Sequence, residues 1–142
     1  MSFALKEAYF AFKKGEIPIG SIITYKNKII AKSYNLTEKL KNVTAHAEIQ
    51  AINLASNYLK SKYLKKCTLY VTLEPCIMCA GALYWSQIKK VVFGCFSIKK
   101  NGFTNFCIKL HPKTTIIYGI MERESRFLLN YFFKKKRKNI HL

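Results

Sequence analysis

Residues 67–94 read Cys67-Thr68-Leu69-Tyr70-Val71-Thr72-Leu73-Glu74-Pro75-Cys76-Ile77-Met78-Cys79-Ala80-Gly81-Ala82-Leu83-Tyr84-Trp85-Ser86-Gln87-Ile88-Lys89-Lys90-Val91-Val92-Phe93-Gly94. Cys67 to Leu73 is β-branched and apolar throughout, as expected for a strand covered on both faces. Pro75 suits a position at or just before a first helical turn, where its missing N–H removes no hydrogen bond. The helix it introduces begins near Cys76 and is predicted to run to about Ser86. Lys90 to Gly94 is another short buried strand. The stretch therefore reads strand, helix, strand.

Working outward, Phe3 to Lys14 spaces apolar residues at helical intervals and stops at Gly15. Ile17-Pro18-Ile19-Gly20 leads into a strand at Ser21 to Tyr25, Lys26-Asn27-Lys28 is a tight turn, and Ile29 to Tyr34 is the second strand of a hairpin. Asn35 to Val43 is polar and reads as a loop. From about Ala45 to Leu59 the apolar positions Ile49, Ile52, Ala55 and Leu59 recur every three or four residues, which predicts a helix. Downstream, Phe96 to Lys113 is irregular, Thr114 to Tyr118 is a strand, and Met121 to about Lys136 is an amphipathic helix with Phe127, Leu128 and Tyr131 on its apolar side. This order predicts one α/β domain over residues 1–142, with a basic C-terminal helix end. Its architecture is a three-layer α/β/α sandwich around a mixed sheet of mostly five strands.

Half of the residues are hydrophobic, which excludes a mainly disordered chain. No apolar run approaches the roughly 18 residues of a spanning helix, and Met1 to Glu7 lacks the layout of a secretory signal. The expected setting is intracellular, with no membrane. Lys and Arg total 25 against seven acidic residues, for a net charge of +18. Such a surface attracts polyanions, of which nucleic acid is the commonest in a cell. Yet most of these cations are Lys, in a chain rich in Phe, Tyr, Ile and Asn, the skew an AT-rich genome produces without selection for binding. Five cysteines, an odd number, argue against a complete disulfide framework. Cys67, Cys95 and Cys107 sit beside or within apolar runs and are expected to be buried free thiols.

Cys76 and Cys79 fit a different use. With His46 they make one imidazole and two thiolates, three protein ligands for zinc with a fourth tetrahedral position left open. Structural zinc sites usually close with four protein ligands, whereas three ligands plus water is the catalytic arrangement. Both halves lie at the predicted starts of helices, whose electropositive ends favour thiolates. A Cys-x-x-Cys redox pair would give no role to His46 and Glu48. A purely structural zinc module would want a fourth ligand, and His111 lies in a Leu-His-Pro loop without partner spacing. Glu48 is two residues from His46, and such positions do not share a face of a regular helix. The pair is therefore placed where the chain enters its helix. Glu48 is either a helix-dipole residue or the proton-moving carboxylate that a zinc–water mechanism still lacks; we read it as the latter. The reaction type is hydrolysis at an electrophilic carbon.

Several segments together resemble the zinc-dependent nucleobase deaminases, and within them the bacterial tRNA adenosine deaminases. They are Ile17-Pro18-Ile19-Gly20, Asn35, Thr44-Ala45-His46-Ala47-Glu48, Thr72 to Ala82, Val91-Val92-Phe93-Gly94 and the ending Phe132 to Arg137. The resemblance implies a cytidine deaminase-like fold and deamination of the wobble adenosine (position 34) of a tRNA anticodon to inosine, releasing ammonia. It implies one Zn2+ per subunit on His46, Cys76 and Cys79, with Glu48 carrying protons to N1 and to the departing ammonia. It also implies substrate contacts from Asn35, Pro75, Phe133, Lys136 and Arg137, the anticodon stem-loop as partner, a homodimer and a cytoplasmic location. On pattern alone Asn35 is a turn residue opening a polar loop. The run Lys134 to Lys138 contributes five of the charges; alone it is a solvated tail, but Phe132 and Phe133 beside it offer base-stacking surface.

One segment departs from the family. Ser97, in Cys95-Phe96-Ser97-Ile98-Lys99-Lys100-Asn101-Gly102, stands where the family's anticodon-holding loop carries Asp. A Ser can hydrogen-bond a ribose hydroxyl but carries no charge. The rival substrates are guanine or cytosine derivatives, handled by small-molecule deaminases with the same ligands and Glu. A non-catalytic RNA-binding subunit on the same fold would tend to lack the Glu48 carboxylate.

Overall fold

The computed structural model describes residues 1–140; His141 and Leu142, the end of the predicted domain, lie outside them. The elements in chain order are α1 (Ser2–Lys13), β1 (Gly20–Tyr25), β2 (Lys28–Tyr34), α2 (Thr37–Leu40), α3 (Ala47–Leu59), β3 (Cys67–Leu73), α4 (Ile77–Ser86), β4 (Lys90–Cys95), a 3-10 turn (Phe103–Phe106), β5 (Thr115–Tyr118) and α5 (Glu122–Ile140). Five strands form one sheet in the order β2-β1-β3-β4-β5. β1 pairs antiparallel with β2 and β3, while β3–β4 and β4–β5 are parallel. The mixed sheet is as expected.

Lys26 and Asn27 take φ of 49° and 60°, the left-handed pair that closes a two-residue hairpin with the twist of its strands. α1 and α5 touch each other and share one face of the sheet, and α3 and α4 pack together on the other. The main core lies on the α3/α4 side: Leu69, Val71, Val91 and Phe93 from the sheet meet Ala51, Ala55, Ala80 and Leu83 from the helices. On the opposite side, α1 presents Ala4, Ala8 and Ala11 to the sheet, all fully buried. It can approach closely because Gly20 has no side chain; a Cβ there would overlap the backbone at Ala4 and Ala8.

Three expectations need correction. The inward side of α5 is Ser125, Leu129 and Phe132, whereas Phe127 and Tyr131 face outward and stack on each other with ring centroids 6.2 Å apart. The reason is steric. The helix crosses Gly94, where even an added Cβ would come within 2.5 Å of Ser125 Oγ, so only a small residue fits inside. The polar segment after β2 contains the short helix α2, and Cys107 is exposed rather than buried. Cys67 and Cys95 are buried as expected.

Candidate active site

Two helix starts meet at one end of the sheet. α3 is preceded by His46, extended at φ −69° and ψ 155°, and its first turn carries Glu48. Ser33 Oγ on β2 donates a 2.7 Å hydrogen bond to the carbonyl of Ala47, fixing where that turn begins. α4 follows β3 through Glu74 and Pro75, and Cys76 is its extended cap at φ −73° and ψ 175°. Because His46 has not yet entered the helical twist, it and Glu48 can aim at one region, as their spacing predicted.

The ligand atoms of His46, Cys76 and Cys79 lie within 4.8 Å of one another. His46 Nδ1 is 3.6 Å from each of the two Sγ atoms. Zinc bonds of about 2.1 Å to nitrogen and 2.3 Å to sulfur at tetrahedral angles require an N···S separation of about 3.6 Å. The donor set therefore fits zinc in chemistry and spacing. Glu48, 3% exposed, accepts a hydrogen bond from the Cys79 thiol at 3.4 Å and is not one of the three clustered ligands.

Protons are unevenly held in this cluster. The Cys76 thiol is pushed down to about 4, first by the hydrogen bond from Cys79 and further by His46. The same bond to Cys76, with burial, pushes the Cys79 thiol well up. The hydrogen bond to Cys76 raises His46. Burial pushes the Glu48 carboxyl up to about 6. A dication bound here would displace the protons of Cys79 and His46, the usual coupling of metal affinity to pH.

The other predicted residues fall into two groups. Asn35 is 3% exposed, and its side-chain nitrogen donates to Glu16 Oε2 at 3.2 Å and to Thr37 Oγ1 at 3.1 Å. Pro75 is fully buried, and its carbonyl accepts from the Phe103 amide at 2.9 Å. Phe133 is half-buried beneath Lys99, whose Nζ is 4.6 Å from the ring centroid. Lys136 and Arg137 are exposed on the last turns of α5, with Lys136 Nζ 5.4 Å from the Phe132 ring. Ser97 Oγ bonds to Asn101 Oδ1 within its own loop.

Sequence reading missed two carboxylates. Glu16, 1% exposed, accepts from the amides of Glu38 at 3.1 Å and Lys39 at 2.7 Å as well as from Asn35. Glu74, 2% exposed, accepts from the amides of Ser97 at 3.0 Å and Thr104 at 3.1 Å, and from the Thr104 hydroxyl. The available signal was, for Glu74, a lone acid between Leu73 and Pro75 at a strand end and, for Glu16, one of only seven acids in the chain, placed just before the apolar Ile17-Pro18-Ile19.

Residues 1–95 match the family described as the cytidine and deoxycytidylate deaminase zinc-binding region. The tRNA-specific adenosine deaminase of Aquifex aeolicus is 47% identical over 145 residues, covering 99% of this chain and 95% of that protein. A solved structure from work on A-to-I editing by tRNA:A34 deaminases at the wobble position of transfer RNA superimposes with a TM-score of 0.84. It is 36% identical, over 91% of this chain and 97% of its own. The guanine deaminase of Bacillus subtilis is 34% identical with a TM-score of 0.61, over 75% of this chain and 64% of that one.

Proposed function

Given that this chain belongs to the tRNA-specific adenosine deaminases of the zinc-binding cytidine and deoxycytidylate deaminase family, we propose that it deaminates the wobble adenosine of a tRNA anticodon. Water is consumed, inosine forms and ammonia leaves. The carrying observation is the buried Glu48 carboxylate beside a three-ligand His46–Cys76–Cys79 cluster. His46, Cys76 and Cys79 would hold one zinc ion per subunit, which when bound supplies Lewis-acid activation of water at neutral pH. Glu48 takes one proton from the attacking water and delivers it to N1 of adenine, then carries the second, from the hydroxyl formed at C6, to the amino group that leaves as ammonia. A carboxyl raised to about 6 is suited to accepting and returning protons near neutrality.

Asn35, its nitrogen committed to Glu16 and Thr37, has its amide oxygen left to meet the extruded nucleotide. Pro75, buried and bound through its carbonyl to Phe103, backs the site from beneath, and Phe133, Lys136 and Arg137 contact the anticodon stem-loop. Removing the base from its stack costs a few kcal/mol, less in a loop. The whole chain, 1–142, acts as one deaminase domain in the cytoplasm and as a homodimer. Trp85, 77% exposed and edge-on to Tyr84 on α4, offers apolar surface for a second copy.

The test is incubation with an anticodon stem-loop bearing adenosine at the wobble position, alongside free guanine, cytidine and adenosine. Inosine formed only in the RNA supports the reading. Turnover of a free base or nucleoside, with none in the RNA, refutes it in favour of the small-molecule alternative.

A further inference from the structure

Glu74 sits two residues before a predicted zinc ligand, yet its carboxylate is bound by a loop and is not among the clustered ligand atoms. All three donors recorded on it come from one segment: the amides of Ser97 and Thr104 and the Thr104 hydroxyl. A buried carboxylate is tolerated when its oxygens are filled in this way. The same segment is bound again at the neighbouring residues. Phe103 N donates to the Pro75 carbonyl, and Gly102 forms an isolated antiparallel bridge with Cys76.

Gly102 supplies an independent sign that the carboxylate organises this loop. Its φ of −72° and ψ of 157° are open to any residue, so no backbone strain calls for glycine. Space does: a Cβ there would overlap the carboxylate of Glu74. From the same loop Lys99 reaches over the ring of Phe133 on α5. Glu74 thus ties together the strand end that leads to Cys76, the Ser97–Thr104 loop and, through that loop, the aromatic part of the basic C-terminal helix.

We infer that Glu74 is a positioning residue for substrate RNA: it clasps the Ser97–Thr104 loop against the metal-ligand segment, so that the loop and Phe133 present a preformed surface to the anticodon stem. The inference rests on the RNA-deaminase reading above. Glu74 moves no proton in the reaction. Its loss weakens RNA engagement and leaves the metal in place.

The zinc-loaded protein is compared with Glu74→Gln, whose amide would face two N–H donors with one acceptor oxygen too few. Thr104→Val removes a single donor at nearly constant shape and keeps the test decisive if Glu74→Gln folds poorly; Thr104→Ser restores the hydroxyl. Glu74→Gln should retain zinc and raise KM for the anticodon stem-loop about ten-fold, with a much smaller change in kcat, the pattern of lost uniform binding. Hydrogen exchange at the Ser97 and Thr104 amides should accelerate by a similar factor. Thr104→Val should shift both in the same direction by about three-fold, and Thr104→Ser should recover them.

Loss of zinc together with kcat would overturn the inference, because Glu74 would then merely prop Cys76. An unchanged KM or unchanged exchange in both Glu74→Gln and Thr104→Val would also overturn it. If the unmodified enzyme itself left the RNA untouched, the substrate reading would fail, and this inference with it. That result is distinct from an active enzyme whose KM ignores Glu74.

Discussion

Removal of the Glu16 carboxylate is the most informative perturbation outside the metal cluster. The helix α2 starts after Leu36, whose side chain cannot cap it, so Glu16 reaches across from the end of α1 and accepts the amides of Glu38 and Lys39. These are the second and third helical N–H groups, the pair an N-cap side chain normally satisfies. In Glu16→Ala the lost cap costs about 1 kcal/mol, because both donors lie on exposed residues that water can reach. The Asn35 side chain is buried, and loss of its 3.2 Å partner adds about 1–3 kcal/mol. The expected total is about 2–4 kcal/mol, a large share of the ~5–15 kcal/mol that stabilises an ordinary domain. Urea unfolding followed by circular dichroism should show that loss as a lower midpoint with an unchanged slope. Glu16→Gln, which keeps one acceptor oxygen, should lie between alanine and the parent. Because the same carboxylate holds Asn35, the alanine variant should also show a raised KM for the stem-loop. A stability loss under 1 kcal/mol, or a glutamine variant weaker than alanine, would refute this reasoning.

Further outcomes follow from the same geometry. Glu48→Ala should fold and keep its zinc while deamination falls by about 10²–10⁴-fold, a general acid–base contribution read as inosine per enzyme; full activity would sink the assigned role. Thiol labelling of the zinc-loaded protein at pH 8 should modify exposed Cys107 first. Cys95 should lag, since burial pushes its thiol up to about 11 and leaves about a thousandth as thiolate at that pH; equal rates would contradict the buried placement. Gly20→Ala should destabilise by about 1–3 kcal/mol because α1 must lift from the sheet. Gly81→Ala, a helical position with open space around it, should stabilise by about 0.5–1 kcal/mol. Opposite shifts in the two unfolding midpoints would confirm that the two glycines serve different ends.

The structure also shows why some features escaped the sequence. The apolar run Phe127-Leu128-Leu129 followed by Tyr131-Phe132-Phe133 permits more than one helical stripe, and periodicity alone cannot choose among them. Gly94 chooses, by admitting only Ser125 at its closest approach. The roles of Glu16 and Glu74 are likewise invisible in one dimension. Their partners lie 19 to 30 residues away and are mostly backbone amides, which carry no residue signature.

Local sequence specifies the order of the main elements and singles out His46, Cys76 and Cys79 as candidate metal donors. Strands and helices announce themselves through local apolar spacing, and zinc chemistry is restricted enough that His46, Cys76 and Cys79 stand out by residue type and context. That Nδ1 of His46 falls 3.6 Å from both sulfurs is a product of long-range packing, because the separation depends on two helix starts thirty residues apart being held at one sheet end. The same packing sets which side of α5 faces inward and which buried carboxylates hold the flanking loops. Those outcomes depend on close approach between segments distant in the chain, and steric fit is a property of the folded packing rather than of any local pattern.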